Sequence, residues 1–262
     1  MLEILPLLVF TTFGGIAAGA YVMNAFGLIA GSYEAKSSSD EDGRAWLFPL
    51  VCIALLGVGL VGTLMHLGQP LRFINGMMHP SSMISQESYW AIAFGVVMVV
   101  DLALSKVKGS SFAAVRVIGA IAACGLMVVT GLAYQACAFI PAWSGVITIP
   151  LFIVGDLAVG AGLCLVFAKS EGLVRALHVG NIAVSFGWVA VVFGYAIHLV
   201  GIGADVALVA AGAVIGPVAA AVVSALALKG ALADKPASWA VLACSAIGVL
   251  LVRGAFFAIG IL

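Results

Sequence analysis

The chain has 262 residues, of which 64% are hydrophobic and 8% are charged, and its formal net charge is zero. Soluble domains carry about a quarter charged residues, so this composition excludes an ordinary water-soluble protein. No basic cluster of the kind that binds nucleic acid is present. The composition therefore predicts an all-α integral membrane protein that forms one domain over residues 1–262.

Eight apolar runs are long enough to cross a bilayer, which takes roughly 20 helical residues. Their connections are short except for 32–44 and 67–85, so the sequence predicts a compact bundle of eight transmembrane helices. The predicted spans are approximately 4–31, 45–66, 86–106, 111–139, 143–168, 173–200, 205–228 and 237–262.

The lysines and arginines predict how the bundle lies in the membrane. One set of loops contains Lys36, Arg44, Lys106, Lys108, Arg116, Lys169, Arg175, Lys229 and Lys235, whereas the opposite set contains Arg72 alone. Cytoplasmic loops carry the excess of positive charge. Both termini and the segment 67–85 are therefore expected on the non-cytoplasmic side.

The segment between the second and third spans concentrates polar residues in a sequence that has few. His66 ends the second span and Glu87 begins the third, so a hairpin returns both side chains to one depth. Ser85 is the predicted N-cap of the third helix, which would put Glu87 in its first turn. Arg72 lies on the loop between them.

Further polar residues are expected near the same membrane surface. Thr11 lies in the outer half of the first span, and Arg253 lies in the last span roughly 13 Å along the helix from the C-terminus. An arginine inside a span is costly and marks either function or a buried carboxylate partner. The sequence does not name that partner.

These residue types fit the oxidation of a quinol. Its hydroxyl groups need a base or hydrogen-bond acceptor, which His66 and Glu87 would supply, and Arg72 would orient the carboxylate or the ring oxygen. The five cysteines lie singly in apolar runs, so no metal site is expected on this protein. The electrons would have to pass to a redox centre on a partner docked at this surface.

Two other interpretations use the same polar residues. His66 and His198 lie at similar predicted depths and would suit a b-type haem if their helices faced each other. Asp101, Asp156 and Arg253 lie within spans, as in transporters, but no internal repeat between the halves supports a transporter.

The sequence also resembles the membrane anchor subunit of dimethyl sulfoxide reductase. The specific elements are HLGQPLR at 66–72, which matches that family's H-L-G-x-P-x-R signature, and SQE at 85–87, which matches the polar turn that follows it. Weaker likenesses are LPLLVFTTFG at 5–14, IPAW at 140–143 and RGAFF at 253–257. These elements follow the family's order along the whole sequence.

The resemblance implies a multi-pass protein of the bacterial inner membrane that binds and oxidises menaquinol in anaerobic respiration. It implies that electrons go to a four-cluster iron–sulfur subunit and then to a molybdopterin catalytic subunit. It maps the family's functional carboxylate onto Glu87 and its histidine onto His66, and it implies an anchor without haem. Quinol contacts are expected from His66, Arg72, Glu87, Arg253 and Thr11. The terminal acceptor stays open between dimethyl sulfoxide, an amine oxide and another substrate.

Overall fold

A computed structural model describes residues 4–31, 44–66, 75, 77–110 and 112–261, without the side chains of residues 31, 65 and 66. Helices and short turns make up these described residues, which include no strand. Eight of the helices are long and apolar enough to cross a membrane, which confirms the predicted fold class. These first to eighth spans are Ile4–Ala30, Leu47–Leu64, Met83–Lys108, Ala113–Gln135, Thr148–Phe167, Glu171–Gly201, Ala207–Leu228 and Asp234–Ile261.

The spans run alternately between two faces of the bundle. One face, which we call the basic end, carries the connections that follow Lys108, Phe167 and Leu228. The other face, which we call the opposite end, carries the start of the third span at Met83 and the connection 136–147. An even number of spans puts the start of the first span and the end of the last at the opposite end. That this end faces away from the cytoplasm stays a prediction from the charge bias.

The first span lies at the centre of the bundle, packed against the second, fourth, fifth and sixth. Its closest approach is to the fifth span, because a Cβ added at Gly19 would overlap the backbone of Asp156 and one at Gly160 would overlap that of Gly19. Lipid supplies no hydrophobic driving force between helices, so small residues that permit such close packing stabilise the contact.

A π-helical segment, Phe10–Gly14, interrupts the first span near the opposite end. Thr11 and Thr12 in this segment are both buried. A second π segment, Val214–Val218, surrounds Pro217 in the seventh span. Proline lacks an N–H and disturbs the regular ladder, which accounts for the second segment. The first contains no proline, and π segments often lie at functional sites.

A buried polar network joins the first, third and fourth spans. The Asp101 carboxylate accepts hydrogen bonds from the Tyr21 hydroxyl at 2.9 Å and the Arg116 Nε at 3.2 Å, and Arg116 also donates to Asn24 Oδ1 at 2.9 Å. The charge count assigned Arg116 to a loop, which was wrong, whereas the predicted fourth span, 111–139, already included it. It lies inside the fourth span, buried, because Asp101 supplies the opposite charge.

The third span begins earlier than predicted. Its helix starts at Met83, and its N-cap is Ser82, whose side chain makes no capping hydrogen bond. The predicted cap at Ser85 was therefore wrong, and Glu87 lies in the second turn instead of the first. The backbone N–H of Gln86 donates to the Ser82 carbonyl at 3.0 Å, so the helix's hydrogen bonds include residues that the prediction placed in the loop.

Candidate functional site

Glu87 presents an unsatisfied carboxyl oxygen inside the opposite end of the bundle. Its Oε1 atom is buried and has no hydrogen-bond partner among the described residues. Thr130, on the fourth span, lies close enough to interact with the same carboxyl group. Buried polar atoms are almost always paired, so an orphaned carboxyl oxygen marks a place where an external donor would be stabilised. A quinol hydroxyl is such a donor.

The neighbours of Glu87 fix its place at the opposite end of the bundle. The Tyr89 hydroxyl donates to the Met77 carbonyl, and Gln86 Nε2 donates to the Pro80 carbonyl at 3.4 Å. Both contacts tie the third span to the segment that precedes it. On the other side, the Trp90 ring lies directly against Gly125 of the fourth span. The carboxyl group therefore has a defined position between the third and fourth spans.

An arginine–aspartate pair lies deeper, between the fifth and eighth spans. The Arg253 guanidinium donates to the Asp156 carboxylate and to the Thr11 carbonyl, and more weakly to the Phe152 carbonyl at 3.4 Å. The same guanidinium lies over the Phe152 ring, 4.8 Å from its centroid. Arg253 and Asp156 are 3% and 4% exposed. A buried charge needs such partners, since the cost of removing it from water is several kcal/mol.

The pair also explains part of the first span. Thr11 lies in the π segment, where its hydroxyl donates to the Leu7 carbonyl at 2.9 Å while its own carbonyl accepts from Arg253. Asp156 packs onto Gly15, where any Cβ would overlap the carboxylate. The irregular turn and the glycine therefore leave room for an ion pair between three spans.

A small cavity is lined by both Thr130 and Asp156. Its volume is about 10 Å³, which matches one water molecule. Thr11, Thr130 and Asp156 supply its polar wall, and the rest of the lining is apolar or glycine. Sites for drug-sized ligands measure about 300–1,000 Å³, so a quinone ring does not fit here. A quinol would have to approach Glu87 from the membrane side.

The structure describes some of the other predicted site residues and leaves others undescribed. His66 ends the second helix, Leu47–His66, but its side chain lies outside the described residues, as does all of Arg72. Arg253 and Thr11 are brought into direct contact. His198 lies at the opposite end, where its Nε2 is 2.8 Å from the Pro141 carbonyl. The roles of His66, Arg72, Arg253 and Thr11 in quinol binding stay predictions, as does the haem interpretation of His198.

Three residues near the site were not predicted from the sequence. Asp156 was noted as an intramembrane carboxylate but not as the partner of Arg253, which is 97 residues away in the sequence. Thr130 is one threonine in an apolar span and gave no signal. Tyr134, one turn further along the fourth span, is buried and lies within electrostatic range of both Glu87 and Arg253. Only the packing of the helices brings these three residues close to Glu87 or Arg253.

The pairing of the two intramembrane aspartates bears on the transporter interpretation. Asp101 and Asp156 both have arginine partners, so neither presents a free charge in the part of the protein that the structure describes. Within the same residues, no group of three His, Cys, Asp or Glu side chains is arranged to hold a metal ion.

Comparisons with known proteins point to one family. The family model described as DMSO reductase anchor subunit (DmsC) matches residues 1–256. Among curated proteins, the C subunit of anaerobic dimethyl sulfoxide reductase from Escherichia coli (strain K12) is 33% identical over 72 residues, which cover 28% of this sequence and 24% of that protein. The protein of the same name from Haemophilus influenzae is 32% identical over 113 residues, which cover 37% of this sequence and 38% of that protein.

The matched segments thus span about a quarter to two fifths of these relatives. The family model, in contrast, covers nearly all of the sequence, and the eight candidate spans fit a multi-pass protein of the bacterial inner membrane. The protein therefore belongs to the DMSO reductase anchor subunit family.

Proposed function

We propose that this protein anchors a DMSO reductase-like complex, binds menaquinol beside the start of the third span and oxidises it. The electrons pass to an iron–sulfur subunit and from there to a molybdopterin catalytic subunit. Support for partner subunits comes from the relatives, whose shared name, the C subunit of an anaerobic dimethyl sulfoxide reductase, describes one part of a larger enzyme.

The observation that carries this proposal is the orphaned carboxyl oxygen of Glu87. It lies at the opposite end, in a candidate membrane span. In this proposal a quinol held in lipid approaches it from the membrane side. The neighbouring Ile84, Tyr89 and Trp90 side chains are exposed on the bundle. They give an apolar wall for the quinol tail, while the carboxylate accepts a hydrogen bond and then a proton from the ring hydroxyl.

The other site residues take supporting roles in the proposal. His66 serves as the second hydrogen-bond or proton acceptor, and Arg72 orients the carboxylate or the ring oxygen by charge-assisted hydrogen bonds. Arg253 braces the first span through the Thr11 carbonyl, next to the site. None of these residues stores electrons, so oxidation depends on a partner's redox centre at the same face.

The test is Glu87→Gln in the assembled complex, with Glu171→Gln as the matched control. Glu171 is an exposed carboxylate at the basic end, in the first turn of the sixth span. Two rates of acceptor reduction are compared: one driven by a short-tailed menaquinol analogue, and one driven by a reduced dye that feeds the partner subunits directly.

We expect Glu87→Gln to lower the quinol-driven rate by about a hundredfold or more, because a positioned acid–base group contributes that much. The dye-driven rate should stay unchanged, which shows that the complex is assembled. Glu171→Gln should leave both rates unchanged. A normal quinol-driven rate in the Glu87 variant would remove this carboxylate from the mechanism.

A further inference from the structure

A continuous polar connection runs from Glu87 inward to the buried ion pair. The Glu87 carboxyl group lies beside Thr130, Thr130 lines the cavity of about 10 Å³, and the Asp156 carboxylate lines the same cavity. A cavity of this size holds one water when two to four polar groups are there to bind it. Thr130, Asp156 and Thr11 are the polar residues that line this cavity.

We propose that Asp156 is an inner proton acceptor, reached from Glu87 through Thr130 and one ordered water in this cavity. The inference rests on the proposed quinol oxidation and extends it by naming where a proton goes after Glu87. It assigns a chemical role to the ion pair between the fifth and eighth spans, which is otherwise a structural contact.

The proton balance of the relay is simple. Quinol oxidation releases two electrons, which go to the iron–sulfur partner, and two protons. When the first quinol O–H bond breaks, its proton forms an O–H bond on Glu87. The Glu87 O–H bond then breaks as its proton passes to the Thr130 hydroxyl oxygen, the Thr130 hydroxyl releases its own proton to the water, and the water releases one of its protons to Asp156. Glu87 is a carboxylate again and can accept the second proton. Before the next turnover Glu87 releases that proton at the opposite end, and the proton on Asp156 returns through the water and Thr130 to Glu87 and leaves the same way. No electrons move within the relay.

Arg253 allows Asp156 to change its charge inside the bundle. While Asp156 is ionised, the guanidinium is its counter-ion. When Asp156 is protonated, the guanidinium keeps its hydrogen bonds to the Thr11 and Phe152 carbonyls. It also keeps its position over the Phe152 ring, an interaction that favours a cation. The positive charge therefore has partners in both states of the carboxyl group.

Asp101 is a buried aspartate of the same protein in which both carboxylate oxygens accept hydrogen bonds. Its carboxylate accepts from Tyr21, Ser105 and Arg116. Asp156, in contrast, accepts from Arg253 and lines the cavity, which Asp101 does not. Both aspartates are buried and paired with arginine, so the difference lies in access to a water-sized cavity.

The sixth span also carries buried polar atoms without partners, and one of them lies near the residue before Asp156. The Trp188 Nε1 atom lies 4.0 Å from the position of a Cβ at Gly155, the residue next to Asp156. Trp188 Nε1, Ser185 Oγ and Asn181 Oδ1 are buried without a hydrogen-bond partner among the described residues. They follow one face of the sixth span toward the basic end, with spacings of three and four residues.

The test compares Asp156→Asn with Asp101→Asn in the assembled complex. The first substitution keeps the shape and a hydrogen bond to Arg253 but removes the proton acceptor. We expect its quinol-driven kcat to fall by about tenfold or more while the KM for the menaquinol analogue stays within about twofold. The dye-driven rate should be unchanged. Asp101→Asn, matched in burial and pairing, should leave the quinol-driven kcat within about twofold.

A second pair of variants tests the relay in case the Asp156→Asn complex fails to assemble. Thr130→Val keeps the side-chain shape without the hydroxyl and should slow quinol-driven turnover, and Thr130→Ser should restore it. Wild-type kcat in either Asp156→Asn or Thr130→Val would overturn the relay. If Glu87→Gln abolishes turnover while these variants are normal, the relay alone fails. If Glu87→Gln is itself normal, the proposed function fails.

Discussion

Breaking the buried ion pair should destabilise the bundle strongly, and Arg253→Met is the sharpest way to do it. Methionine has a similar length and no charge, so it fills much of the space of the arginine stem. The substitution leaves the Asp156 carboxylate, 4% exposed, without its counter-ion. It also removes the donor to the Thr11 carbonyl, in the π segment of the first span.

The size of the effect follows from this burial. Removing one partner of a buried ion pair costs about 3–5 kcal/mol, because an uncompensated charge stays behind. For a protein of this size about 1 kcal/mol changes the Tm by about 2–4 °C. We therefore expect Arg253→Met to lower the Tm by roughly 6–20 °C. Adding Asp156→Asn should recover part of this loss, since the unpaired charge is then gone.

The assay is thermal unfolding of the purified complex in detergent, followed by loss of helical signal for the single variants and the double variant. Arg175→Met serves as the control, because Arg175 lies exposed near the start of the sixth span. Its Tm should stay within about 2 °C of wild type. If Arg253→Met is as stable as the Arg175 variant, or if the double variant is less stable than Arg253→Met alone, the pair does not stabilise the fold as argued.

Two further predictions use matched positions within the bundle. Gly19→Ala should lower the Tm markedly, because the new Cβ would overlap the fifth span. Gly57→Ala has open space at its Cβ and should be neutral or slightly stabilising. Equal Tm values for the two variants would contradict the close packing of the first and fifth spans. Tyr21→Phe should lower the stability by about 1–3 kcal/mol, because Asp101 loses a buried hydrogen-bond donor. Tyr195→Phe should change the stability little in the same unfolding assay, because the Tyr195 hydroxyl has no partner among the described residues. A larger loss for Tyr195→Phe than for Tyr21→Phe would refute this hydrogen-bond assignment.

The eight spans were predictable because length and apolarity determine them directly. A helix must cover roughly 20 residues to cross the bilayer, and the sequence contains eight runs of that length. The start of the third span was not predictable to the residue. The segment before Glu87 is polar, but it contains no helix breaker after Pro80, so the helix extends back to Met83.

The ion pairs were beyond the sequence because they depend on which helices touch. Arg116 looks like a loop charge next to Lys106 and Lys108, and only the packing of the third and fourth spans places it against Asp101. Arg253 likewise predicts a buried carboxylate without naming one, since Asp101 and Asp156 are both intramembrane candidates. The register of the fifth and eighth spans selects Asp156.

The location of the quinol is the central claim, and photoaffinity labelling tests it directly. An azido-substituted menaquinone analogue is bound to the assembled complex, illuminated, and mapped onto the sequence by mass spectrometry. We predict labelling that excess unmodified quinone suppresses, on the segment around Glu87 and the part of the fourth span near Thr130. Suppressible labelling confined to the basic end, around Lys106 and Arg175, would contradict the proposed site.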